Sequence, residues 1–459
     1  MSRRFDAIII GAGQAGPPLA GRLTSAGMSV ALIERHLFGG TCVNTGCMPT
    51  KTLVASAYAA HLTRRSADYG VTLSGPLRID MARVKARADA VSANARVGVE
   101  RWLRDMKGCV VINGHASFSA PDAVQVADET LSAPRIFINV GGRAIVPDLP
   151  GIAQVRFLTN GTVLALDRVP EHLVVVGGSY VGLEFAQIYR RFGAAVTVVE
   201  MAARLIARED EGVSQAIREI LEGEGITIRT GAECITLAPH ANGVAVGVDC
   251  ATGDPEILGS DVLLAVGRRP NTDDLGLDKA GVVTNARGYI QVDDGLATSV
   301  PGIWALGDCN GRGAFTHTAY NDFEIVAANL LDGEQRKVSE RIPGYALYID
   351  PPLGRVGMTE AQAHASGRPL LSGHRPMSRV GRAIEKGETQ GFMKIIVDAE
   401  TRKILGAAIL GTGGDEAIHG ILDTMNAGVP YTALQRAVPV HPTVCELIPT
   451  MLGEMRPVR

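Results

Sequence analysis

The chain has no long apolar run, no strong charge of either sign and no crowd of cysteines, and each absence removes a class. No stretch of about 18 or more apolar residues occurs, so neither a membrane span nor a membrane partner is expected. A formal net charge of −3 over 459 residues argues against nucleic acid or an anionic lipid surface as partner. Seven cysteines in so long a chain do not make a disulfide framework. Nor does a second pair lie near the closest two to complete a four-ligand site, so no metal is expected. No low-complexity segment stands out. Arg3-Arg4 hints at an export signal, but the apolar run behind it is short and leads into glycines, so a cytoplasmic location is expected. With 46% hydrophobic residues, the length allows about three domains.

What is present is a repeated glycine motif. Ile8-Ile9-Ile10 has the character of a buried strand and leads into Gly11-Ala12-Gly13-Gln14-Ala15-Gly16. An Ala/Leu-rich helix follows, and a second strand, Val30-Ala31-Leu32-Ile33, ends at Glu34. This is the layout of a βαβ dinucleotide-binding unit. Gly11 permits the tight turn, Gly13 lets a pyrophosphate approach the backbone, and Gly16 lets helix and strand pack closely. The helix N-terminus attracts phosphate charge, and Glu34 is placed to accept hydrogen bonds from a ribose. The layout recurs in Leu173–Val176, Gly177-Gly178-Ser179-Tyr180-Val181-Gly182 and Val196–Val199, which ends at Glu200. In both copies the acidic residue follows the first glycine by 23 positions, which argues for two nucleotide sites. Ser179 stands where the first copy has Gly13 and should crowd the pyrophosphate slightly. Glu200 would repel a 2′-phosphate, so NADH is preferred and NADPH possible, Arg204 being near enough to soften the preference.

Between strand and helix of the first unit lies Gly39-Gly40-Thr41-Cys42-Val43-Asn44-Thr45-Gly46-Cys47-Met48-Pro49-Thr50-Lys51. On a regular helix, residues five apart have Cα atoms roughly 8–9 Å apart. A disulfide needs about 4.4–6.8 Å. If these thiols pair, Cys42 must sit on a loop or a distorted turn, for which Gly39, Gly40 and Gly46 supply the freedom. Two unrelated core cysteines, or half a metal site, remain the alternatives at this point. Further along, basic residues from Arg83 through Arg87, Arg96 and Arg104 to Lys107 belong to one long helix with a solvated face. A Pro/Gly cluster, Pro147–Gly151, marks a linker, and strand Val262–Val266 runs into Gly267 at a domain crossover. Gly302–Asp308 forms a buried strand that delivers Asp308 at its carboxyl end, and a helix begins near Thr316. Phe392–Val397 and Ile404–Ile409 predict an antiparallel hairpin in a different domain.

With these motifs in order, nearly the whole chain resembles the FAD-dependent pyridine nucleotide-disulfide oxidoreductases, which include dihydrolipoyl dehydrogenase, glutathione reductase and mercuric reductase. Gly40–Lys51 looks like the family's redox motif, Gly177–Glu184 like its nicotinamide-nucleotide turn, and Gly302–Asp308 like its second flavin strand. His441-Pro442-Thr443-Val444-Cys445-Glu446 is similar to its C-terminal His-Pro-Thr-x-x-Glu motif. The resemblance implies an α/β fold with two Rossmann-like domains, for FAD and NAD(P), plus a C-terminal α+β dimerisation domain. The boundaries expected are 1–148 and 270–336 for the FAD domain, 149–269 for NAD(P) and 337–459 for dimerisation. It implies a flavoprotein passing electrons from NAD(P)H through FAD and a Cys42–Cys47 disulfide to a small thiol-reactive or disulfide substrate. Cys47 would face the flavin and Cys42 the substrate, and Lys51 would pair with Glu184 near the flavin. Tyr180 would act as a lid over the face that NADH enters. Gly40, Thr41, Asp308, His317 and Ala319 would contact FAD, and Gly177, Ser179, Gly182, Glu200 and Gly267 would lie at the NAD(P) site. His441, oriented by Glu446, would reach into the partner's active site across a homodimer.

Some residues depart from the pattern. Asn139-Val140-Gly141 and Ala265-Val266-Gly267 replace the usual Ala-Thr-Gly turns, with little consequence expected. Cys445, beside the histidine motif, and Cys109, Cys234, Cys250 and Cys309 are expected to pack in the interior. The redox opening resembles the mercuric branch, but no leading C-x-x-C domain or C-terminal cysteine pair is present and His441 is retained. Asp350–Glu360 looks more like a branch that reduces oxidants such as hypothiocyanous acid. A thiol-reactive oxidant or metal is therefore the expected acceptor. Dihydrolipoyl dehydrogenase, reduction of a low-molecular-weight disulfide and a non-catalytic redox sensor are the alternatives.

Overall fold

The protein is described from a computed structural model covering residues 2–249 and 253–458; Cys250 lies outside the described residues. The apolar runs of the first glycine unit form a five-stranded sheet in the order Ile303–Ala305, Ile136–Ile138, Ala7–Ile10, Val30–Glu34, Cys109–Asn113. All its pairings are parallel. Ile8, Ile9, Leu32 and Phe137 are fully buried because both faces of the sheet are covered, Ile9, Leu32 and Phe137 by helices and Ile8 by a smaller sheet that includes Phe118 and Val124. The strand from Ile303 thus completes a sheet begun at residue 7, bringing Asp308 to the same end of the sheet as the first glycine turn.

The second unit repeats the plan with parallel strands ordered Thr227–Thr230, Ala195–Glu200, His172–Val176, Asp261–Leu264. Each unit also carries a smaller sheet that no motif announced. One comprises Ala116–Ala120, Ala123–Val126, Glu129–Ser132 and Ser2–Arg4, the other Glu233–His240, Gly243–Asp249 and Glu256–Gly259. The C-terminal region is a six-stranded antiparallel sheet built around the hairpin Phe392–Asp398 and Ile404–Leu410, with helix Gly414–Asn426 packed on it.

The basic segment forms helix Met81–Asp105, capped by Asp80, whose side chain accepts from the Arg83 N–H at 3.0 Å. Its cations do more than face solvent. Arg87 donates to the Thr52 carbonyl at 2.9 Å and Arg96 to Asn44 Oδ1 at 3.4 Å, tying this helix to the stretch that carries the paired cysteines. Cys309 is buried and Cys109 half-buried, their thiols pushed up by burial to about 12 and about 11 respectively. Cys234 corrects the packing expectation: it is exposed, on a strand whose alternate residues point to solvent.

Candidate active site

The two glycine turns are built alike. Glu34 Oε2 accepts from the Ala12 N–H at 2.8 Å and Oε1 from the His36 N–H at 2.8 Å. Glu200 takes Gly178 N–H at 2.6 Å and Ala202 N–H at 2.8 Å. A Cβ on Gly11 would come within 2.3 Å of the Asn139 carbonyl, and one on Gly16 within 2.4 Å of the Gly11 carbonyl. These two glycines are required by the turn itself. At Gly13 a Cβ would meet nothing nearer than the Asn139 amide at 3.4 Å, so the bare Cα leaves room beside the helix N-terminus. That space suits a pyrophosphate. Asn139 earns more than the little consequence expected of it, because its Nδ2 braces the Gly11 carbonyl at 3.2 Å. In the second copy Gly177 and Gly182 are equally constrained, a Cβ on Gly182 lying 2.0 Å from the Gly177 carbonyl, while Ser179 is exposed at the helix N-cap.

Gly40 packs directly on the first turn, where a Cβ would fall 2.9 Å from the Gly13 Cα, and its φ of +62° already favours glycine. From here the chain makes a short helix, Gly40–Asn44, breaks at Thr45 and Gly46, and starts the long helix Cys47–Arg64. The break lets Cys42 and Cys47 meet, and the structure holds them as two thiols in mutual hydrogen-bond contact. Cys47 Sγ also lies 3.2 Å from Thr316 Oγ1. The two thiols are strongly unequal. Cys47 is lowered to about 6, chiefly by the hydrogen bond from Cys42 and further by Thr316 and Lys51, against the opposing effect of burial. Cys42 is pushed up because it donates that bond and is itself half-buried.

One turn beyond Cys47, Lys51 donates to Glu184 Oε2 at 2.7 Å, and its Nζ sits 4.6 Å from the centre of the Tyr348 ring. The other oxygen of buried Glu184 accepts the Tyr348 N–H at 3.0 Å. Tyr180, at the start of helix Tyr180–Phe192, packs edge-on against Tyr345 and Phe315. Phe315 leads into helix Thr316–Ala327, whose open end faces the dithiol through Thr316. His317 Nε2 donates to the Gly344 carbonyl at 2.7 Å, since a carbonyl oxygen can only accept, and burial lowers the pKa of the ring. The Ala319 amide is already spent on the Phe315 carbonyl at 3.0 Å, which leaves the amides before it at the open end. Asp308 lies in a 3-10 turn, Gly307–Asn310, just past its strand, beside Arg268 at 3.4 Å; burial pushes its carboxyl up against the pull of that cation. Arg268 also donates to Thr41 Oγ1 at 3.3 Å. Gly267, φ +120°, precedes it at the crossover.

His441 stands apart from all of this. Its Nδ1 is 2.7 Å from Glu446 Oε2, with the imidazole 81% exposed and the carboxylate only 14% exposed. Among the described residues no hydrogen bond or ion pair joins His441 to the dithiol stretch of its own chain. Val438 and Val440, just before it in the chain, are 95% and 76% exposed, and Cys445 is half-buried. Tyr348, Tyr345 and Arg268 carry no site role in the sequence reading, and Thr316 enters it only as the first residue of a helix whose N-terminus would face the flavin. Thr316 had a signal, as the first residue of a motif-bearing helix, whereas Tyr348 had none.

The family described as pyridine nucleotide-disulphide oxidoreductase matches residues 5–322, and the dimerisation domain of the same family matches residues 343–452. The probable pyridine nucleotide-disulfide oxidoreductase RclA of Escherichia coli K12 is 35% identical over 96% of this chain and 97% of its own length. A dihydrolipoyl dehydrogenase of Cupriavidus necator is 32% identical over 98% and 97%, and a mercuric reductase of Streptomyces lividans 32% over 97% and 94%. The structure of E. coli RclA, an HOCl-induced flavoprotein disulfide reductase, superimposes with a TM-score of 0.89 at 34% identity, covering 98% of this chain and 99% of that one. The C-terminal dimerisation domain supports a homodimer. No helix among the described residues is long and apolar enough to cross a membrane. The chain belongs to the pyridine nucleotide-disulphide oxidoreductase family, and it is an NAD(P)H-dependent flavoprotein disulfide oxidoreductase.

Proposed function

We propose that this enzyme reduces a small thiol-reactive oxidant in the cytoplasm with NADH, through Cys42 as the exchange thiol and Cys47 as the resting thiolate. The observation that carries the reading is the geometry around the two thiols: Cys47 begins the long helix 3.2 Å from Thr316 Oγ1 with Lys51 one turn on, surroundings that favour the charge on Cys47 and leave the proton to Cys42. A protonated thiol is a poor nucleophile, so Cys42 needs a base. The exposed His441, tied to Glu446, is that base, supplied from the partner subunit across a shared active site. FAD would be held by Gly11, Gly13, Gly16, Glu34, Gly40, Thr41, Lys51, Asp308, His317 and Ala319, and when bound it supplies the two-electron link between nicotinamide and dithiol. Lys51, fixed by Glu184, keeps a positive charge beside Cys47. NADH is preferred over NADPH because Glu200 lines the second turn and Arg204 is occupied with the Ala207 and Glu209 carbonyls, both at 3.1 Å.

The acceptor assignment is supported by the likeness to RclA, described as HOCl-induced and also solved as a Cu(II) complex. A steady-state panel of hypothiocyanous acid, Cu(II), Hg(II), lipoamide and glutathione disulfide, with NADH and NADPH, tests it. The expected result is the highest kcat/KM for an oxidant or metal ion with NADH; faster turnover of lipoamide than of any of these would overturn it. Anaerobic NADH should produce a long-wavelength band from the Cys47 thiolate against oxidised flavin in the wild type; Cys42→Ser, which cannot form the disulfide, should show that band before any NADH is added, and Cys47→Ser should not show it at all. Mixing Cys42→Ser with His441→Ala subunits should restore part of the activity, and no recovery after verified exchange would refute a shared site.

A further inference from the structure

Helix Thr316–Ala327 buries an acid where its spacing calls for an apolar residue. Its inner face carries Ala319, Phe323 and Val326, and Asp322 lies among them only 1% exposed. A carboxylate so deep needs partners for both oxygens, and it has them. Oδ2 accepts the Gly307 N–H at 2.8 Å and an Asn310 Nδ2 hydrogen at 2.9 Å. Oδ1 accepts from the Arg341 guanidinium, which also donates to Asn321 Oδ1 at 2.8 Å.

The two donors on Oδ2 are the first and last residues of the turn Gly307–Asn310, which carries Asp308. Asn310 gives its amide group also to the Ala305 carbonyl at 3.0 Å, and its Oδ1 accepts the Arg312 N–H at 2.8 Å. Its side chain thus laces the end of strand Ile303–Ala305 to the residues past the turn. Gly307, at φ +72°, packs so closely that a Cβ would fall 3.3 Å from the Ala319 Cβ and 3.5 Å from Asn139 Oδ1. Asn139 is the residue that braces Gly11. The first glycine turn, the turn bearing Asp308 and helix Thr316–Ala327 therefore meet at Gly307, and Asp322 holds that junction from the helix side.

We propose that Asp322 is a positioning residue for the flavin: through Oδ2 it keeps the turn Gly307–Asn310 in the form that presents Asp308, and so sets how tightly FAD is retained. This rests on the reading that Asp308 contacts FAD. Without that acceptor the buried Gly307 N–H and one Asn310 N–H lose their partner. The turn then relaxes and has to be reordered whenever FAD binds, which weakens binding. The Arg341 bond on Oδ1 has a separate part: it compensates the buried charge and leaves the turn's own hydrogen bonds untouched.

That separation gives the test. Asp322→Ala loses both sets of bonds. Asp322→Asn keeps an oxygen for Gly307 and Asn310 and turns its amide toward Arg341, so it loses the ion pair and retains the turn. Asn310→Ala removes one turn bond and leaves Asp322 with Arg341. FAD released from purified holoenzyme on serial dilution, read as flavin fluorescence, gives the Kd, and circular dichroism gives the melting temperature. The Kd should rise about 10- to 100-fold in Asp322→Ala, the change one hydrogen bond to a charged group is worth, and about three- to tenfold in Asn310→Ala. In Asp322→Asn it should stay within about threefold of wild type even though the melting temperature falls. A role in stability alone would make FAD loss follow the melting temperature, so Asp322→Asn shedding FAD as readily as Asp322→Ala would overturn the proposal. So would a Kd within about twofold of wild type in Asn310→Ala, the variant that decides if Asp322→Ala does not fold. If Asp308→Ala holds FAD as tightly as wild type, the reading of Asp308 falls instead.

Discussion

The inequality of the two thiols has a single largest source, the hydrogen bond that Cys42 donates to Cys47, and that source can be removed. Cys42→Ala deletes the donor and leaves Thr316 and Lys51 in place. A hydrogen bond to a charged acceptor is worth about 1.5–3 kcal/mol, and one pKa unit corresponds to about 1.36 kcal/mol. The Cys47 midpoint should therefore rise from about 6 by about one to two units. The sign follows from which form the bond favours: losing it penalises the thiolate, so a higher pH is needed to form it. Cys42→Ser, which retains an O–H donor, should shift the midpoint by less. The assay is the pH dependence of iodoacetamide alkylation in the reduced protein, resolved by peptide mass spectrometry so that exposed Cys234 is counted separately. A Cys42→Ala midpoint still near 6 would show that Thr316 and Lys51, not the neighbouring thiol, hold the charge on Cys47, and the division of labour between the cysteines would have to be redrawn.

Three other outcomes are expected. His441→Ala should leave folding and reduction by NADH intact while lowering acceptor turnover by about 10²- to 10⁴-fold, the range for loss of a general base; rapid-reaction and steady-state kinetics compared side by side check this. Gly40→Ala puts a Cβ 2.9 Å from the Gly13 Cα at a positive φ, so the purified protein should lose FAD, measured as the flavin-to-protein absorbance ratio. Lys51→Met leaves buried Glu184 without its cation and should cost about 1–3 kcal/mol in urea unfolding, less than a wholly buried pair because Lys51 is partly solvated.

The glycine turns, their terminal carboxylates and the two cysteines could be read from the chain because each is a local pattern: a strand, a turn that tolerates no Cβ, and a helix within about 25 residues. The Lys51–Glu184 pair, 133 positions apart, came only through resemblance. What stayed hidden has a common cause. Tyr348 over Lys51, Tyr345 against Glu209 and Arg355 between Glu209 and Asp210 all join segments more than 130 residues apart. Periodicity reports which face of an element is apolar, not which distant element arrives there. Arg355 is misleading for that reason: a cation in an apolar strand suggests an edge, yet it is buried because two carboxylates come from another part of the chain. Cys234 errs the other way, since strand Glu233–His240 has one face turned to water and the residue type alone did not reveal which.

The carboxylates that close the two turns carry a consequence for how such an enzyme can evolve. Each of Glu34 and Glu200 spends one oxygen on a turn amide and the other on the amide two residues after itself. Two acceptor positions remain on each for a ribose. On the proposed reading, the group that discriminates between nucleotides is also a brace for the turn it closes. Exchanging Glu200 for a cation in order to welcome a 2′-phosphate would strand the Gly178 and Ala202 amides at the same moment. A lineage moving from one coenzyme to the other must first find new acceptors for those two amides, so the switch calls for at least a pair of changes made in that order.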